Sequence, residues 1–430
     1  MTIRSTNRAR VGWTIIVGAT LAWACGSAQQ APAEPSSAAQ PASGAVLLGN
    51  EPEPAKIEPL PALPVKPAKG KAAPAENPFV GAEFYRDPGY AEKIASTKTD
   101  DKAIKAMLEK MKGYPTGLWL DRIAAIEQLP KWLDDAAAQS KKAKKPVVPV
   151  VVVYDLPNRD CSAKASAGEL DAASGGEQRY RTEFIDPIAA HFKKHPELKI
   201  AVVLEPDSLP NVVTNLPIEK CAKSELIYKH SIAYAIAELS LPNVYLYVDA
   251  AHAGWLGWLR NRTGFAKVMK EVLDMAGGPD RIRGFATNTS NYNALDGDWG
   301  LKLEPSSPTP SEYAYVKGLA ETLAEHGIKD KGYIIDTGRN GVVETRTKWG
   351  NWCNIAKAGI GERPKAAPRP LLDAFFWVKP PGESDGVADR AAARFDENCL
   401  SPDARTDAPE AGQWFPAHLI DMMKAANPPL

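Results

Sequence analysis

The sequence predicts an α/β fold, a parallel β/α barrel of about seven strands with its active site at the C-terminal strand ends. Three observations predict it. Seven short apolar segments are spread along residues 117–378, and helix-like stretches fill the intervals. Several of the seven are unbroken apolar runs, as strands covered on both faces require. Six of the seven then run into carboxylates, amides or aromatics.

The elements follow in order. A helical stretch at 101–111 precedes the first strand, 117–120, and another at 131–142 follows it. The second strand, 147–154, leads into Asp155, Arg159 and Asp160. Tyr180, Phe184, Ile188 and Phe192 then recur every four residues and form one apolar stripe. Strand 200–204 leads into Glu205, Asp207 and Ser208, and a helix follows at 224–239. Strand 244–248 leads into Asp249, His252 and Trp255, with a helix at 264–275. Strand 284–286 leads into Thr287, Asn288 and Asn291, with a helix at 311–326. Strand 333–335 leads into Asp336 and Arg339, and strand 374–378 into Lys379, Glu383 and Asp385. A strand-end Asp often only caps the next helix. Capping accounts for one or two of these positions, not for six with tryptophan interleaved. No internal repeat is present.

The remaining chain sets the context. Arg4, Arg8 and Arg10 precede an apolar run at 11–24, which reads as a secretory signal over residues 1–25. That run is too short for a permanent membrane span, and no later run reaches the length. Leu21-Ala22-Trp23-Ala24-Cys25 resembles a bacterial lipoprotein cleavage site with Leu21 one position upstream of its usual place. Cys25 is thus either a lipidated membrane tether or is removed by ordinary cleavage. Residues 26–76 are rich in Ala and Pro and are expected to form a disordered spacer. The spacer has no aromatic residue, which disfavours a separate sugar-binding module there. The folded domain is expected over 77–430. The 52 basic and 52 acidic side chains cancel, removing the long-range attraction that nucleic-acid binders use.

The chemistry narrows by elimination. No His-Glu-x-x-His helix, no Gly-x-Ser-x-Gly elbow and no Gly-rich phosphate loop occurs. Zinc hydrolysis, an α/β-hydrolase triad and nucleotide use are therefore disfavoured, and no metal or cofactor is expected. A carboxylate-rich cleft with tryptophan remains. Two carboxyl groups flanking a bond cleave glycosides, and tryptophan offers a flat face to a pyranose ring.

Six blocks carry a resemblance: residues 154–161 (Tyr-Asp-Leu-Pro-Asn-Arg-Asp-Cys), 204–209, 248–258, 286–292, 352–354 and 377–386. In this order they resemble glycoside hydrolase family 6, the cellobiohydrolases and endoglucanases, from Asn77 to the C-terminus. The resemblance implies a distorted barrel and inverting hydrolysis of β-1,4-glucan. It implies Asp207 as general acid, Asp160 as its partner and a candidate for activating water, and Asp385 as the other candidate base or electrostatic partner. Tyr154 and Ser166 match positions that crowd the reacting sugar and hold that water. Asp249, Lys379 and Glu383 match polar substrate contacts, and His252, Trp255, Asn291 and Trp352 match subsite walls. Trp258 is either a sugar platform or core. Tyr85 stands where cellobiohydrolases often have Trp and is expected to stack on substrate with less area; Ala251 stands where Gly is common, and Ser384 where fungal members have Cys.

Besides Cys25, four cysteines allow three pairings. Successive parallel strands are usually neighbours, which pairs Cys161 with Cys221 and Cys353 with Cys399, as the resemblance also implies. The long stretches 161–180 and 386–412 resemble the roofing loops of cellobiohydrolases. They favour an exo-acting enzyme; it is expected to be secreted and monomeric and to take cellulose or soluble β-1,4-glucan. An endoglucanase, a glycosidase for β-1,3- or mixed-linked glucan and a non-catalytic glucan-binding surface lipoprotein are the alternatives.

Overall fold

The computed structural model describes residues 57–70 and 73–430. The signal, Cys25 and the spacer as far as residue 56 lie outside the described residues. Eight strands form one curled sheet: β1 Leu118–Leu120, β2 Val150–Val153, β3 Ile200–Leu204, β4 Val244–Asp249, β5 Gly284–Thr287, β6 Gly332–Asp336, β7 Lys365–Ala366 and β8 Leu372–Phe376. Their order is β1-β2-β3-β4-β5-β6-β8-β7, and all neighbours run parallel except β7 against β8. The seven parallel strands are those the sequence marked. The antiparallel β7 is an addition.

The sheet curls until its ends meet. The Gly117 amide donates to the Trp377 carbonyl at 3.0 Å, joining the chain before β1 to the end of β8. A Cβ on Gly117 would lie 2.2 Å from the Val378 oxygen, so only glycine allows this approach. Alternate strand residues face opposite ways. Val150, Val152, Ala201, Val203, Tyr247 and Phe376 fill the interior. Val151, Val202, Leu204, Leu246 and Phe285 face the surrounding helices.

Differences from the sequence reading have local causes. The run 147–154 is broken by Pro149, which lacks the N–H a central ladder needs. Val147–Val148 pairs with Glu83–Phe84, and only Val150–Val153 joins the barrel. The 180–192 stripe is a wide π-helical turn, Tyr180–Ile185, running into the α-helix Asp186–Lys193. Pro187 cannot donate back into the preceding turn, which accommodates the widening. The helices Pro88–Ser96 and Pro416–Lys424 add to those the sequence marked.

The spacer ends earlier than residue 76. The Leu60 amide donates to the Lys223 carbonyl, Ala68 to Ala276 and Ala73 to Asp280. Arg181 donates to the carbonyls of Leu63 and Pro64, and Val65 packs on the core. Composition misses this because the partners of these backbone groups lie far along the chain. Among the described residues no helix is long and apolar enough to cross a membrane.

Candidate active site

A cleft of about 640 Å³ opens at the C-terminal strand ends, and Asp160, Asp207 and Asp385 all line it. The backbone there is unusual. Asn158, Asp160, Glu205, Asp207, Ala251, Asn288, Ser290 and Asn354 all hold φ between +40° and +59° without being glycine. Each such residue costs roughly 1–2 kcal/mol, and such strain is characteristic of functional sites.

Asp207 follows β3 at the start of the helix Leu209–Thr214. Its backbone is pinned from both sides: its amide donates to Asp249 Oδ1 at 3.2 Å, and Asn211 Nδ2 donates to its carbonyl at 2.6 Å. Burial pushes the Asp207 carboxyl well above the usual range, and the charges of Asp249, Asp160 and Asp385 push it further, against Lys379. Burial and these neighbours favour its protonated form. Asp160 is 8 % exposed, and its Oδ2 accepts from the Ser166 amide at 3.0 Å. Burial raises its carboxyl too, opposed by Arg159, that amide and Lys220.

Asp385, across the cleft, is saturated with donors. Arg339 Nη1 reaches its Oδ1 at 2.7 Å; the Tyr292 hydroxyl and the Asn354 amide reach Oδ2 at 2.6 and 2.9 Å. Burial alone would raise its carboxyl, but Arg339 and Lys379 outweigh it and hold Asp385 below the usual range, ionised.

Beneath Asp160 and Asp207 lies a buried support. Glu205 accepts from the Tyr180 hydroxyl at 2.8 Å and from the Asp155 and Leu156 amides, and burial lifts it to about 7. Burial lifts Asp155 to about 8 although Arg159 Nη1 lies 3.6 Å from its Oδ1. Arg159 Nε donates to the Ser166 carbonyl at 2.7 Å, so the same guanidinium braces the loop that carries Asp160.

Most predicted wall residues converge on the cleft: Tyr154, Ser166, His252, Trp255, Asn291, Trp352, Lys379 and Glu383 all line it. Trp255 Nε1 donates to Thr214 Oγ1 at 2.6 Å, which fixes the ring. His252 is buried, and burial with the Arg346 charge lowers it to about 3, leaving a neutral ring. Lys93 Nζ meets Glu383 Oε1 at 2.8 Å. Three predicted contacts stand elsewhere. Tyr85 is 2 % exposed in the core with its hydroxyl on Asp135, because β1 and the helix after it close over it. Asp249 is 1 % exposed and spends Oδ1 on the Asp207 and Ala251 amides. Trp258 is outside the cleft lining, edge-on to Trp349 with centroids 6.3 Å apart.

Other lining and supporting residues escaped the sequence reading. Trp119 lines the cleft, edge-on to Tyr154 at 5.4 Å and 5.5 Å beneath Lys379 Nζ. A signal for it exists, since 117–120 is a marked strand with a tryptophan in it. Trp349 also lines the cleft from an irregular loop that periodicity does not mark. Of the partners of Asp385, Arg339 is marked at its strand end and Tyr292 and Asn354 fall within two of the resemblance blocks, but nothing in the sequence signals that the three converge on one carboxylate.

Both disulfides form as paired: Cys161–Cys221 and Cys353–Cys399. Cys221 sits at the start of the helix Glu219–Leu239, bracing the Asp160 loop against it. Among the described residues no group of three or more His, Cys, Asp or Glu is arranged to hold a metal.

Comparison with known proteins returns one consistent class. The family model described as glycosyl hydrolases family 6 matches residues 79–426. Exoglucanase 3 of Agaricus bisporus is 38% identical over 359 residues, covering 83% of this chain and 80% of that one. The 1,4-beta-D-glucan cellobiohydrolase C of Emericella nidulans is 41% identical over 370 residues, covering 83% and 80%. Cellobiohydrolase II of Humicola insolens, solved with glucose and cellotetraose, superposes with a TM-score of 0.80 at 36% identity, covering 83% of this chain and 100% of that one.

Proposed function

The chain belongs to the glycosyl hydrolases of family 6, and from that premise we propose that it cleaves β-1,4-glucosidic bonds of cellulose from non-reducing ends, releasing cellobiose with inversion. One observation carries the reading: burial and neighbouring carboxylates raise the Asp207 carboxyl, while Arg339 and Lys379 lower that of Asp385, and both line the cleft. A general acid must hold its proton until the leaving oxygen takes it. Asp207 donates that proton to the glycosidic oxygen as the C1–O bond breaks. A water attacks C1 from the opposite face and gives up its own proton.

The two remaining aspartates differ as acceptors. Asp385 has three donors on its carboxylate and is held below the usual range, so it is a poor base. Asp160 is raised and uses one oxygen on the Ser166 amide, so it is the better base. Asp160 therefore accepts the water's proton. Asp385 serves as a fixed charge that keeps Asp207 protonated and stabilises the positive charge developing on the sugar. Trp119, Trp255, Trp349 and Trp352 provide faces for glucose rings, and Lys379, Glu383 and neutral His252 bond their hydroxyls.

The exo mode is supported by the long stretches 161–180 and 386–412, whose residues Ser162, Ser166, Arg394, Ala411 and Gly412 line the cleft. We place the enzyme outside the cell, on the signal-like residues 1–25. Cellohexaose digestion with anomer detection tests the whole reading. Cellobiose appearing first as the α-anomer is the expected result; β-anomer product would refute inversion, and no hydrolysis would refute the enzyme.

A further inference from the structure

Two loops line the cleft, through Ser162 and Ser166 on one and Arg394 on the other, and one buried carboxylate joins them. Residues 161–166 follow Asp160, and residues 387–400 follow Asp385. Asp396, on the second loop, is 5 % exposed. Its Oδ1 accepts from Asn398 N at 2.9 Å and Asn398 Nδ2 at 2.8 Å, capping the short turn Glu397–Leu400. Its Oδ2 reaches the other loop and accepts from the amides of Lys164 at 2.8 Å and Ala165 at 3.4 Å. The next amide, Ser166, is the one that holds Asp160 Oδ2 at 3.0 Å. Three consecutive amides are thus shared between two aspartates, one from each loop. The loops also touch beside this link: a Cβ on Gly386 would lie 2.9 Å from both the Ala165 Cβ and the Cys399 Sγ.

We infer that Asp396 is a specificity-determining latch, which holds the two loops together over the cleft and so restricts cleavage to chain ends. The inference rests on the exo reading above. A joined roof admits a glucan only by threading its end, whereas parted loops admit its middle. The bond is charge-assisted. Around it Lys164, Ala393 and Glu397 are solvent-exposed, and the buried apolar contact beside it is confined to Ala165, Gly386 and Cys399.

The test compares viscosity loss per reducing end released from carboxymethylcellulose, with the melting temperature of each variant. Asp396→Ala is expected to raise that ratio about tenfold, the effect of losing one charged hydrogen bond. Asp396→Asn, whose single carbonyl oxygen serves only one loop, should fall between it and the native enzyme. Asn398→Ala keeps the latch and loosens only the cap, so its ratio should not change. A folded Asp396→Ala with the native ratio would overturn the latch. So would an equal rise in Asn398→Ala. If Asp396→Ala does not fold, the Asn variant decides by the same ratio. A native enzyme that itself thins the solution like an endoglucanase refutes the exo reading instead.

Discussion

On the β2–β3 side of the cleft, Asp160 is buried and Asp207 half-buried, and both are raised. On the β8 side, Asp385 is buried but holds Arg339, Tyr292 and the Asn354 amide, and it is lowered. Burial acts in the same direction on all three. The neighbours decide the sign, and in the proposed mechanism that contrast suits one aspartate to donate a proton and the other to keep its charge.

The largest expected effect comes from removing the donor. Asp207→Ala should lower kcat on cellohexaose by about 10³-fold. An aryl cellobioside whose leaving group needs no proton should lose far less. Equal losses on both substrates would remove Asp207 as the acid.

Removing the cation on the other side comes next. Arg339→Met leaves Asp385 buried with its main counter-charge gone, which should destabilise the fold by about 3–5 kcal/mol in urea unfolding. A change under about 1 kcal/mol would mean that the pair is not what holds Asp385 ionised.

Smaller changes tune the contrast. The acid works while protonated, so activity is lost as pH rises through the raised Asp207 value. Asp385→Asn removes a negative neighbour and should move this alkaline limb down by about half to one pH unit; Lys379→Met should move it up by a similar amount. Shifts of the same sign in both variants would break the electrostatic account. The smallest effect concerns the backbone at Asp249. Ala251 sits at φ +50°, where glycine is unstrained, and Ala251→Gly should stabilise by about 0.5–1 kcal/mol in thermal unfolding.

Much of this was legible because it is local. Apolar runs mark the parallel strands, and the residues after each mark Asp160, Asp207 and Asp385. The backbone strain at Ala251 explains why glycine is common there, and the departure is visible in the sequence. Trp119 was legible too: it sits in the first marked strand, two residues before Asp121, and both line the cleft. Tyr85 and Asp249 were read as contacts from motif position alone, and packing places both beneath the cleft wall or in the core. Residues 57–70 were read as spacer because they are rich in proline and alanine, while their backbone partners lie on distant helices.

The order of strands, the pairing of cysteines and the chemical types at each strand end follow from the chain itself, because periodicity and succession are properties of neighbouring residues. Which aspartate keeps its proton, and which two loops are tied over the cleft, depend on groups far apart in the chain. Arg339 is 46 residues from Asp385, and Asp396 is 232 from Lys164. Charge interaction and burial depend on distance in space, and only the closing of the barrel sets those distances.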